Sequence, residues 1–178
     1  MDSRRLGPLA GIVISALSVG CAVRSVHSYL ERGVDLGRYQ GYVWGPADRS
    51  GTGDPRLDNN QIFEDRVRAA VDAQLASRGF EQASSGSPQL LIQYHVKVEQ
   101  QIDRVDQAVS ASCHDCKPFV YDAGTLVIDL VDARTNSLLW RGWVEANVDG
   151  VVGNQHWIEA QIDEAVARIF DRLPRRNR

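Results

Sequence analysis

The sequence predicts an α+β protein of two layers: a sheet of at least four strands with two helices packed on one face, in the order β-α-β-β-β-α. Three observations carry this. Residues 90–99 alternate, with Leu90, Ile92, Tyr94, Val96 and Val98 on one side and Leu91, Gln93, His95, Lys97 and Glu99 on the other. That is the pattern of a strand with one face on a core. Residues 124–131 and 138–148 alternate in the same way on either side of a turn, which reads as a hairpin. Residues 61–78 and the segment from Ile158 to Leu173 each carry one apolar stripe at helical spacing. Elements with one apolar face each bury it most simply by stacking in two layers.

In chain order, residues 38–44 (RYQGYVW) are aromatic-rich and read as the first strand. Residues 45–60 are dense in Gly, Pro, Asp, Ser and Asn and read as a loop. Within it, Asp54-Pro55-Arg56 is expected to form a turn with a local salt bridge. Asn59 or Asn60 can cap the first helix, because a short side-chain oxygen accepts from the unpaired N–H groups of the first turn. Phe63, Val67, Ala70, Val71 and Leu75 form its stripe, Gly79 suits the position after it, and Phe80 can pack back over the last turn. Residues 100–121 lack a period, so they form either a long loop or a continuation of the strand as a projecting hairpin. In 124–131, Leu126, Ile128 and Leu130 share a face; in 138–148, Trp140, Gly142, Val144, Ala146 and Val148 do. Ile162, Ala165, Val166, Ile169 and Phe170 continue the stripe of the second helix, and Pro174 ends it.

The segment before this domain has a different character. Residues 1–20 read as a signal peptide: Arg4 and Arg5 form a basic start, and 6–19 are uncharged. Leu17-Ser18-Val19-Gly20-Cys21 resembles a lipobox, which makes Cys21 the expected lipidation site. The match departs from the usual pattern in placing Ser18, rather than Leu, three residues before the cysteine. An ordinary signal peptide, or an uncleaved anchor with an incidental cysteine, is the rival reading. Several acyl chains on Cys21 would anchor the domain stably in a membrane. Ala22, in place of the Asp that retains enteric lipoproteins at the inner membrane, favours the outer membrane. Residues 21–37 then read as a tether, 38–174 as a single domain, and 175–178 as a basic tail.

Removing residues 1–20 takes away Arg4, Arg5 and Asp2 from 20 basic and 23 acidic residues, leaving 18 and 22 and a net charge of −4. No basic stripe suited to nucleic acid is present. Cys113 and Cys116 remain as a pair in Cys113-His114-Asp115-Cys116. A disulfide is the default for such a pair in an oxidising periplasm; free thiols and a metal site are the alternatives. A structural zinc site wants four ligands, usually as two separated pairs, and only one pair occurs here, so no metal is expected. The carboxylates Asp103, Asp106, Asp129, Asp132 and Glu145 read as solvated, and no nucleophile elbow or phosphate-binding loop occurs. Neither a cofactor nor catalytic residues are expected, though a cleft joining His95, Asp129 and Glu145 would reopen that question. Trp143, Leu139 and Val127 are candidates for an exposed apolar patch on the uncovered sheet face, a partner surface unless loop 100–121 covers it.

These features together resemble the envelope lipoproteins that carry the domain of unknown function 4136. The resemblance rests on Tyr42-Val43-Trp44, Asp54-Pro55-Arg56, Asn59/Asn60 before the helix, and Gly79-Phe80 after it. It continues through 88–95 (PQLLIQYH), 124–133 (GTLVIDLVDA), Thr135 and Trp140-Arg141-Gly142, and spans about residues 38–173. It implies an envelope location and this fold, with no established enzymatic activity, and transfers no site residues. The expected protein is a lipid-anchored, periplasm-facing, non-enzymatic binding or assembly module. Its partners would be the membrane, through Cys21, and an unidentified envelope protein or small ligand. An accessory transport subunit and a lipid or small-ligand carrier are the alternatives.

Overall fold

The computed structural model describes residues 23–46, 50–84, 87–103, 119–150 and 152–175. Among the described residues, eight strands and α-helices follow in order, with a 3-10 turn at Leu36–Arg38 between the first two: β1 (Val23–Leu30), β2 (Gly41–Trp44), α1 (Gln61–Ser77), β3 (Glu81–Gln82), β4 (Leu90–Asp103), β5 (Phe119–Asp132), β6 (Leu138–Asn147) and α2 (Gln155–Phe170). The strands form one sheet in the order β1-β6-β5-β4-β2-β3. From β1 to β4 neighbours run antiparallel, whereas β2 and β3 join in parallel. The α+β class and the two helices packed against the sheet are as the sequence predicts.

The core lies on one face of the sheet. Leu90 and Ile92 of β4, Leu126, Ile128 and Leu130 of β5, and Trp140 and Val144 of β6 meet Val67, Val71 and Leu75 of α1 and Val166, Ile169 and Phe170 of α2. Asn60 caps α1 by accepting from the Phe63 N–H at 3.1 Å. At the other end, Gly79 takes φ +78°, and the Gly79 and Phe80 amides donate to Ala76 and Leu75. This reverse turn satisfies the last carbonyls and drives Phe80 into the core. The two helices run parallel: Arg66 in the first half of α1 pairs with Asp163 midway along α2, and Arg78, just past α1, donates to the carbonyl of Phe170, the last residue of α2. Gly142 lies beneath α2; a Cβ there would come within 2.6 Å of Ile169 and 2.4 Å of the Trp140 ring.

Two expectations change. The tether over 21–37 is in part a strand, because Val23–Leu30 forms β1 on β6. Its register slips between Val23 and Ser25, so Val23 and Val26 both face the core side although they are three residues apart. Such a bulge erases the alternation by which a strand is recognised. The stretch 100–121 is in part a continuation of its flanking strands: β4 and β5 pair without a break as far as Asp103 and Phe119. This ribbon projects past the end of β6, whose last partner on β5 is Ala123.

Candidate interaction face of the sheet

Among the described elements, neither helix covers the second face of the sheet, and its side chains line up in rungs fixed by the register. One rung reads His27, Trp143, Val127, His95 across β1, β6, β5 and β4; the next reads Tyr29, Arg141, Asp129, Gln93. His27 stacks on Trp143 with ring centroids 5.2 Å apart and planes 24° from parallel. Asp129 accepts from Arg141 Nε at 2.7 Å and Nη2 at 2.6 Å, the two-pronged geometry that suits a guanidinium to a carboxylate. Hydrogen bonding to Asp129 raises the pKa of Arg141 above its ordinary value, so the guanidinium stays charged at any physiological pH. His95 Nε2 stands 3.7 Å from Asp129 Oδ2. These neighbours leave Asp129 only 3% exposed although it lies on the open face.

Of the three residues expected in a partner patch, Trp143 and Val127 are adjacent on one rung and half-buried. Leu139 does not join them. The register of β5 on β6 slips between Leu130 and Val131, leaving Leu139 as the extra residue, and it packs into the core. Strict alternation had put it on the outer face, and the bulge reverses that. The face is therefore mixed, with a stacked His27–Trp143 pair beside a clamped ion pair, rather than apolar. Sequence reasoning did not find His27 or the Asp129–Arg141 pair. The hairpin turn alone does not indicate the latter: counting back from 132–137 sets 129 opposite 140, and the bulge at Leu139 moves its partner to Arg141.

His95 and Asp129 lie close together, but on an open strand surface with both carboxylate oxygens engaged by Arg141. Glu145 pairs with Thr125, one rung from His95 and two from Asp129. Cys21, Cys113 and Cys116, and with them the lipid and the disulfide, lie outside the described residues. Asp54-Pro55-Arg56 forms the expected turn. Asp54 Oδ1 accepts from the Arg56 amide and Nε, each at 2.9 Å, and these bonds lower the carboxyl pKa. Tyr42 and Trp44 both donate to Asp72 Oδ1, at 2.8 and 3.0 Å, tying β2 to α1.

Of the depressions among the described residues, two lie at opposite ends of the core. An apolar cavity of about 80 Å³ between sheet and helices is lined by Val23, Val98, Leu126, Ala146, Ile158 and Ile162, among others. A wide polar hollow of about 1210 Å³ at the opposite end includes Gln40, Arg78, Glu81, Asp171 and Arg175. Arg78 is committed there to the Phe170 carbonyl and ring. Among the described residues no helix is long and apolar enough to cross a membrane.

The class this defines is a two-layer α+β domain that buries one sheet face under parallel helices, with the other face uncovered by the described elements. The chain belongs to the DUF4136 family, a domain of unknown function, whose model matches residues 26–175. The fold is similar to that of a PDZ domain protein from Parabacteroides distasonis, with a TM-score of 0.56 and 15% identity over 89% of this chain. This chain spans 36% of the length of that protein. It is also similar to the PelC dodecamer from Paraburkholderia phytofirmans (TM-score 0.48, 12% identity, 86% of this chain and 99% of that one). A neuraminyllactose-binding hemagglutinin homologue from Helicobacter pylori gives 0.46 and 11%, over 76% and 86%. Identities this low speak to fold alone. No curated protein matches the chain.

Proposed function

We propose that this chain is a lipoprotein of the bacterial cell envelope, held by lipid on Cys21 and facing the periplasm. It acts without catalysis, as a binding or assembly module. The observation that supports this most is where the chain enters the domain. The expected leader ends at Gly20, just before Cys21, and β1 begins at Val23 on the edge of the sheet. One residue separates the lipid attachment from a hydrogen-bonded strand, so a lipid there would hold the sheet end-on to a bilayer. The open face with His27, Trp143, Arg141 and Asp129 would then stand upright in the periplasm, accessible to an envelope partner.

A carrier role is less well supported. Small-ligand sites hold on the order of 300–1,000 Å³, and the cavity between sheet and helices holds about 80 Å³. Catalysis needs convergent polar groups in a cleft, and the His95–Asp129 pair sits on an open face with Asp129 clamped. Partner binding is tested by a photocrosslinking amino acid placed at His27 on the open face, and at Ala73 on the exposed side of α1, in the bacterial envelope. A discrete adduct from position 27, lost with Trp143→Ser, is the expected result. Adducts only from position 73 would move the partner to the helix layer and refute this surface.

A further inference from the structure

Resting on the anchored reading above, we infer that the end of the domain carrying Val23 is a membrane-contacting tip. Its β4–β5 ribbon dips Ile102, Phe119 and Val120 into the bilayer interface. The register supplies the geometry. Val23 pairs with Ala146, and Ala146 with Gly124, so β1 starts level with Gly124. β1 and β5 run in the same direction, so the chain upstream of Val23 leaves the domain on the side toward which β5 extends to Phe119. Cys21 is two residues before Val23, so its Cα lies within about 8 Å of that residue. Phe119 is five residues before Gly124, about 17 Å along the strand at ~3.4 Å per residue. The ribbon thus reaches at least as far toward the membrane as the lipidated residue itself.

The distribution of exposed apolar side chains agrees. Among the described residues seven large hydrophobic side chains are exposed: Tyr29, Leu30, Ile62, Ile102, Phe119, Val120 and Trp157. Five of them lie at the Val23 end. Ile102, Phe119 and Val120 are on the ribbon, 51–61% exposed. Ile62 and Trp157 are in the first turns of α1 and α2, whose Phe63 and Ile158 line one cavity with Val23 and Val98. Only Tyr29 and Leu30 lie at the other end, where β1 finishes opposite Arg141 and Trp140. Isolated exposed apolar residues need no explanation, but a set gathered beside the point of attachment does. An aromatic and aliphatic cluster on a tip is the chemistry of an interfacial contact. The described ribbon residues, 99–103 and 119–122, carry three acidic side chains (Glu99, Asp103 and Asp122) and no basic one, so this surface suits zwitterionic headgroups rather than an anionic surface.

The test uses the full chain purified from bacterial membranes and reconstituted in phosphatidylcholine vesicles, with a genetically encoded fluorescent amino acid at Phe119 or at Arg134 in the far turn. Quenching by bromine-labelled phosphatidylcholine should be about threefold stronger at 119 than at 134, as expected for burial by ~5–10 Å, and should not increase with added phosphatidylglycerol. A second probe at Asp103, on the same rung as Phe119, covers the case in which the change at 119 disturbs the ribbon. The same samples are weighed. Lipidated protein with no excess quenching at 119 or 103 overturns the tip and leaves the anchor standing. Quenching at 119 in unlipidated Cys21→Ala protein supports the tip alone, while a wild-type chain without lipid removes the anchored reading. Quenching that appears only with phosphatidylglycerol overturns the zwitterionic contact in favour of an electrostatic one.

Discussion

Asp129 and Arg141 illustrate what single residues do in this chain. The most specific stretches of the family resemblance, 124–133 and Trp140-Arg141-Gly142, map onto architectural contacts. Trp140 fills the core, Arg141 clamps Asp129 across two strands, and Asp132 accepts from the Arg134 and Thr135 amides in the turn. Removing one partner of a fully buried pair costs about 3–5 kcal/mol. Here the Arg141 side chain is 44% exposed, which lowers the expected loss for Asp129→Ala to about 2 kcal/mol; chemical denaturation of the variant measures it. Asp54 gives a pH dependence. Its bonds to Arg56 hold the folded-state carboxyl below its ordinary value. The stabilisation is therefore complete above the unfolded pKa, near 4, and is lost as pH falls through the lower folded value. Asp54→Asn should melt below wild type at neutral pH, and the gap should close as the solution is acidified below pH ~4. A gap independent of pH would show that the charge is not what matters at that position.

At the scale of elements, both helices and strands β4, β5 and β6 were legible because each presents one apolar face to one core. What escaped had physical causes. β1 carries a bulge after Val23 and sets Ser28, not an apolar residue, opposite Gly142, so neither period nor composition marks it. β3 has two residues, both exposed, and forms only because Gly79 and Phe80 turn the chain back along β2. The candidate face was half legible: alternation places Trp143 and Val127 correctly, and the bulge at Leu139 moves that side chain to the core. Gly142 is the contact on which α2 settles. Gly142→Ala must displace Ile169 or the Trp140 ring, and overpacking of this kind costs about 1–3 kcal/mol. A lower melting temperature with the fold intact by circular dichroism is expected; unchanged stability would mean that α2 shifts freely on the sheet. Asn60→Ala should cost about 1 kcal/mol through loss of the α1 cap.

The whole molecule is polar from end to end. The start of β1, the apolar ribbon and the starts of both helices share one end. The ends of both helices, Arg175 and the start of the basic tail lie at the other. Eight residues of β1 separate the two ends, about 27 Å at ~3.4 Å per residue, well beyond the ~8 Å over which charge acts in physiological salt. Deleting residues 175–178 should therefore leave membrane association unchanged in a flotation assay, whereas Cys21→Ala should release the protein from stable anchorage. The proposed end-on attachment rests on Cys21 and on the edge strand that begins two residues later, so the state of Cys21 is the decisive quantity. Its most direct test is the intact mass of the protein purified from bacterial membranes in detergent. A chain beginning at Cys21 and heavier by a diacylglyceryl group and an acyl chain is expected; an unprocessed or unlipidated chain would contradict the anchored reading.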